Sequence, residues 1–166
     1  MELISSGLLL YRTSDDASSG VELLIAHMGG PYFEHKENET WSIPKGLIEP
    51  EEDDLIAVAE REFEEEMGSK PTPGESIELG HSMSGKKKVV IFAREGTFDL
   101  STFHSNDFEM EWPKGSGNIE SFPEVDRADW VTPVDARRLL VKSQVVFVDR
   151  LLEVLDKFDR VETELA

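Results

Sequence analysis

Five glutamates crowd the ten residues "AEREFEEEMG", Ala59 to Gly68: Glu60, Glu62, Glu64, Glu65 and Glu66, gathered around Arg61. Such a cluster can grip a cation, trade protons, or simply coat a surface with charge. Helical geometry separates these uses. At about 100° per residue, Glu65 and Glu66 fall within about 60° of Glu62. Leu55, Val58 and Ala59 share that side, and Ile56, Phe63 and Met67 lie beside it. Glu60 and Glu64 point the other way and read as a solvated face. Glu62, Glu65 and Glu66 therefore belong at the rim of the core, partly shielded from water. They also crowd the negative end of the helix dipole, where cations are preferred. Uncompensated, one or more of them would have a raised pKa and bind a proton. A hard divalent cation with oxygen ligands is the natural compensation, and magnesium suits a few carboxylates that leave room for water and phosphate.

The elements that must position these groups follow from the pattern of apolar residues. "DDLIAVAEREFEEEM" reads as a helix that Gly68 caps. "SSGLLLYR" (residues 5–12) and "VELLIAHM" (residues 21–28) read as strands joined through the turn residues 13–20. "WSIPKG" is a short extended piece leading to the helix. "SIELGHSM" and "KKVVIFAREGTF" read as two further strands around Ser84 and Gly85. The stretch from Ser101 to Ala128 reads as a long polar loop, and long loops in compact domains tend to be functional or mobile. "DWVTP" is a short strand, and residues 134–141 and 143–158 read as helices. The order strands, helix, strands, helices predicts an α/β fold with a mixed sheet and helices packed on it.

Composition narrows the partners. The chain has 166 residues, 17 basic and 35 acidic, for a net charge of −18. This length suits one domain with a real core. The charge repels nucleic acid and anionic membranes, so neither is an expected partner. A phosphate-bearing substrate is repelled as well, unless a bound cation or a basic spot reverses the local field. Cysteine is absent, which suits a reducing compartment, and the cytoplasm is the expected location. "MELISSGLLLYR" has no basic leader, so no signal peptide is expected, and no run approaches the roughly 20 apolar residues of a membrane span.

The run "GLIEPEEDDLIAVAEREFEEEMG", Gly46 to Gly68, resembles the Nudix box. Gly46 matches its start, and Arg61-Glu62, apolar Phe63, Glu65-Glu66 and Gly68 match its second half in register. "WSIPKG" before the box is also similar to many Nudix hydrolases. "FEMEWPKGSG" and "FPEVDRADW" resemble a bacterial subgroup of predicted nucleotide pyrophosphohydrolases. Counting forward from Gly46 makes the first acid of the box Glu52, whereas counting back from Arg61 makes it Asp53, so the loop carries one extra residue. Ser69 stands where an apolar residue is usual.

The resemblance implies a Nudix-like α/β/α sandwich with a mixed central sheet, over one hydrolase domain spanning residues 1–166. It implies a Mg2+- or Mn2+-dependent enzyme that cleaves a phosphoanhydride bond in a nucleoside diphosphate linked to another group. The substrate would be a dinucleoside polyphosphate, a nucleoside triphosphate or a nucleotide sugar. Glu62, Glu65 and Glu66 would hold the metal, with a backbone carbonyl beside Gly46. Arg61 would hold a loop carboxylate and face away from the metal. The general base would be a box glutamate or a distant loop glutamate, Glu109 or Glu111, with Glu111 preferred. Lys45 and Gly46 are expected at the phosphates, and the "GKKK" turn is a second positive spot. Trp41, Tyr32 and Phe33 are candidates to stack on a base, although Trp41 also fits burial under the sheet. His27, His35, His81 and His104 show no ligand spacing and read as structural or exposed. Family members are often dimers. Two alternatives stand beside the enzyme: a Nudix-fold module that binds or senses a nucleotide with weak or no catalysis, and an acidic domain whose glutamate helix docks on a basic partner.

Overall fold

The computed structural model describes residues 2–15 and 20–165. Four consecutive core residues, Leu8 to Tyr11, lie in strand β1 (Leu3–Thr13) and are all buried. A strand buried on both faces reads as a continuous apolar run, and this one sits in the middle of the sheet. It pairs antiparallel with β2 (Val21–Met28), which also pairs with β3 (Trp41–Ser42). It pairs antiparallel with β4 (Lys45–Leu47) as well. Helix α1 (Leu55–Met67) follows, then β5 (Ile77–Ser84) and β6 (Lys87–Glu95), which lies parallel to β1 along nine residue pairs. The seven-stranded mixed sheet runs β3-β2-β1-β6-β5, with β4 on β1 and β9 (Val125–Val131) on β2. The middle of the expected turn at 13–20, residues 16–19, lies outside the described residues.

The pleat splits β1 between two cores. Leu8 and Leu10 pack with Ala59, Phe63 and Met67 of α1. Leu9 and Tyr11 face Phe147, Val148 and Leu151. These belong to α3 (Val145–Leu165), and α2 (Pro133–Leu139) lies on the same side. The arrangement is the expected α/β/α sandwich. Among the described residues no helix is long and apolar enough to cross a membrane.

The segment from Ser101 to Ala128 differs from its expected form as a loop. It holds a two-stranded hairpin, β7 (Asp107–Glu111) and β8 (Ile119–Pro123), that among the described residues pairs only with itself, and β9 begins at Val125 rather than at Asp129. One face of the hairpin is wet, so its acidic residues hide the alternation of Phe108 and Met110. In β9 the buried Val125, Trp130 and Val131 are separated by charged residues that meet solvent, which obscures its start.

Candidate active site

Helix α1 is set by its ends. The Asp54 side chain accepts from the Ile56 and Ala57 N–H groups, satisfying donors that the first turn leaves free. Gly68 ends the helix at φ 93°, and a Cβ there would stand 2.6 Å from the His104 carbonyl oxygen. Phe63 and Met67 are fully buried, which fixes the rotation of the last two turns. Glu62 and Glu66 are thereby carried inward, each only 7% exposed. Glu65 stays at the rim and Glu64 faces solvent. Glu60 departs from a simple solvated role, because its carboxylate accepts from the buried Arg94 at 3.3 Å.

The inward carboxylates meet the backbone of β4. The Lys45 N–H donates to Glu66 Oε2 at 3.0 Å. Glu62 lies against Gly46 so closely that any Cβ there would collide with its carboxylate. Only glycine allows that approach of backbone to side chain.

Arg61 takes a double role. Its Nε and Nη2 donate to the two oxygens of Glu52 at 2.9 and 2.6 Å, a bidentate pair of the strong kind. The loop acid is therefore Glu52, and the extra residue is absorbed between it and Leu55. Arg61 Nη1 also donates to Glu62 at 2.9 Å and Glu65 at 3.1 Å. This corrects the expectation that Arg61 faces away from the metal carboxylates. The Cβ does start about 100° round the helix from Glu62, but the long side chain curves back toward the negative charge.

A family model described as the NUDIX domain matches residues 6–151. The chain belongs to the Nudix family. Its fold is similar to the NUDIX domain of Shewanella oneidensis NrtR complexed with ADP ribose, with a TM-score of 0.61 at 14% identity over 93% of this chain and 89% of that one. It is similar to a C. elegans Ap4A hydrolase in a binary complex, with a TM-score of 0.59 at 18% identity over 92% and 98% of the two chains. A MutT protein from Methanosarcina mazei Go1 gives a TM-score of 0.55 at 20% identity over 93% and 95%. No curated protein matches the sequence.

The Nudix carboxylates line a cleft of about 730 Å³ with Lys45, Gly46, Arg61, Phe33, Phe108 and Glu124. Glu124 is a carboxylate that the sequence reading passed over. It sits between β8 and β9, where its N–H donates to the Asn106 carbonyl and its carbonyl accepts from the Gly29 N–H, both at 2.9 Å. The signal was present in "FPEVDRADW", whose Pro-Glu step ends one strand and starts the next. Glu111 and Glu109 lie outside this cleft. Glu111 is exposed, and its carboxylate accepts from the Gly115 N–H at 2.6 Å, closing the hairpin turn. Trp41 is buried in the opposite core, edge-on to His27 at 5.5 Å. Tyr32 leans on Trp112 at 5.2 Å. His27 is fully buried, 2.7 Å from both Asp126 Oδ1 and the Lys36 carbonyl, a structural clamp.

Electrostatics mark the same corner. Burial pushes the Glu66 carboxyl up to about 8, against the pull of Lys45 and its backbone bond; Glu62 and Glu124 push the same way. Glu62 is raised by burial and by Glu65, with Arg61 opposing. Glu124 is raised by burial and then by Glu65. Lys87, in the "GKKK" turn, is lowered by burial and by Lys45, so the two lysines feel each other. Among the described residues, no three His, Cys, Asp or Glu side chains stand close enough to grip an ion as placed. Arg61 Nη1 occupies the space between Glu62 and Glu65 instead. The donor set nevertheless fits a hard divalent cation. It offers four carboxylates on one cleft, three held above their usual pKa, and all ligands are oxygen.

Proposed function

We propose that this Nudix chain is a nucleotide pyrophosphohydrolase acting, with Mg2+ or Mn2+, on a nucleoside diphosphate linked to a further group. The observation that carries this is the burial of Glu62 and Glu66 against β4. A helix that served only as a charged surface would leave those carboxylates in water. Dinucleoside polyphosphates, nucleoside triphosphates and nucleotide sugars remain the substrate classes, and both the Shewanella domain, complexed with ADP ribose, and the C. elegans Ap4A hydrolase suit that range.

Glu62, Glu65 and Glu66 would hold the metal, which when bound would screen the phosphate oxygens and make an attacking water more acidic. Lys45, which lines the same cleft, meets the phosphates. Arg61 orients Glu62 and Glu65 while Glu52 holds it in place. Glu124 forms no ion pair among the described residues and faces the cleft with a raised pKa, so it takes the proton from water. Oxygen attacks phosphorus, the bridging P–O bond breaks, and the leaving phosphate departs with the electron pair. The expected general base thus moves from Glu111 to Glu124.

The test is a panel of the three substrate classes with Mg2+, run in 18O-labelled water and read by mass spectrometry. Label in a phosphate product, lost in Glu66→Gln and Glu124→Gln variants that remain folded, supports the reading. A panel that is not cleaved at all, or cleavage that survives in Glu66→Gln, overturns it.

A further inference from the structure

Two unlike sets of side chains line the cleft: the carboxylates Glu62, Glu65, Glu66 and Glu124, and the apolar Met28, Phe33, Phe108 and Val125. Phe108 comes from the β7–β8 hairpin, which forms a two-stranded sheet of its own. The hairpin is nonetheless fixed at its root. Asn106 N–H donates to the Glu65 carbonyl at 2.9 Å, and Val125 N–H to Ser105 Oγ at 3.1 Å. Its tip meets the loop after β2 through Trp112 on Tyr32. Two glycines let it lie so close. A Cβ on Gly29 would strike the Pro123 carbonyl, and one on Gly30 would stand 3.0 Å from the Phe108 ring. Phe122 backs Phe108 at 6.1 Å between ring centroids, leaving the ring only partly covered.

We propose that Phe108, carried by this hairpin and lining the same cleft as Phe33, is the platform that stacks on the nucleobase of the substrate and so favours nucleotides over phosphates that lack a base. The proposal rests on the hydrolase reading for the orientation of the substrate, with phosphates at the carboxylates and the base at the rings. A neutral aromatic face is also what a −18 protein can offer a nucleotide away from its metal, since stacking needs no positive charge. Base–aromatic stacking changes affinity by roughly five- to 150-fold per base.

Affinity for adenosine monophosphate and for ribose 5-phosphate, measured by calorimetry with Mg2+ in the full chain, isolates the base. The parent is expected to favour the monophosphate by about tenfold or more. Phe108→Ala should collapse that ratio toward one, Phe108→Leu should lower it while keeping the bulk, and Phe108→Trp should preserve it. Thermal melts check that each variant is folded. An equal ratio in parent and Phe108→Ala, a leucine variant that behaves as the parent, or a parent that shows no preference for the base overturns the proposal. A parent that cleaves the substrate panel without base preference fails this inference alone. One that prefers the base but cleaves nothing fails the hydrolase reading alone.

Discussion

Glu66→Gln should stabilise the metal-free protein, and by an amount that depends on pH. In the fold Glu66 titrates at about 8 rather than at the ordinary 4.5. Between those values the folded protein holds a proton that the unfolded chain releases. Stability therefore falls as pH rises across that window and is flat on either side. Each pH unit costs about 1.4 kcal/mol, so the whole gap is worth about 5 kcal/mol. Glutamine cannot ionise, and its carbonyl oxygen still accepts from the Lys45 N–H. The difference in unfolding free energy between variant and parent isolates this one group from every other acid. By urea titration it should be small at pH 4, grow by about 1.4 kcal/mol per unit, and level off above pH 8. For a domain of this size the full difference is roughly 10 °C or more in Tm. Adding Mg2+ at pH 7 should then stabilise the parent and release close to one proton, read by calorimetry in buffers of different ionisation enthalpy. The variant should release about one proton fewer than the parent. A free-energy difference that stays constant from pH 5 to 8 would refute the reasoning, because burial would then not be what holds the proton.

Gly46→Ala places a methyl group in the Glu62 carboxylate and should lower Mg2+ affinity by at least tenfold; a parent-like rise in Tm on adding Mg2+ would contradict this. Phe63→Ala removes a fully buried ring that meets Phe98 edge-on at 5.8 Å and should cost about 3–5 kcal/mol in urea unfolding, with a loss below about 1 kcal/mol counting against the packing described. Asp126→Asn weakens the hold on the buried His27, whose ring also meets the Lys36 carbonyl. Trypsin should then cut after Lys36 faster than in the parent, and an unchanged rate would show that the clamp does not secure this loop.

What was legible in the sequence was whatever depends on neighbours in the chain. Residues 5–12 read as a strand from their apolar run, and the structure buries Leu8 to Tyr11 of it on both faces. The period of α1, with Gly68 at its end, separates Glu62, Glu65 and Glu66 from Glu60 and Glu64, and the structure buries the first and third of that trio while Glu65 stays at the rim. Contacts between distant segments were not legible. Glu124 reaches the site because β8 hands directly to β9 beside the turn at Gly29, and no local period encodes that. Arg61 was misplaced for a related reason, since a helical wheel describes where Cβ starts and says nothing of where a long side chain ends. The β7–β8 hairpin escaped because Asp107, Glu109 and Glu111 make its outward face as polar as a loop. The ambiguity between Glu52 and Asp53 could be resolved only by geometry, through the two bonds that Glu52 accepts from Arg61.

Magnitudes decide what makes the glutamate helix costly. Like charges at three and four residues apart on an exposed helix cost a few tenths of a kcal/mol per pair. Arg61 offsets part of that by sharing Nη1 between Glu62 and Glu65. Burying Glu66 costs about ten times more once it is ionised. The expense therefore lies in Glu62 and Glu66, the two acids that touch β4, rather than in the crowding itself. Glu64, which faces solvent, could be exchanged with little effect on the site. The same contrast bears on Arg61. Its grip on Glu52 uses Nε and Nη2, while only Nη1 lies between the acids of the site. A cation held by Glu62 and Glu65 would compete with Nη1 alone, since Nε and Nη2 stay on Glu52. One guanidinium is thus divided between a bidentate anchor on Glu52 and a single nitrogen shared by Glu62 and Glu65.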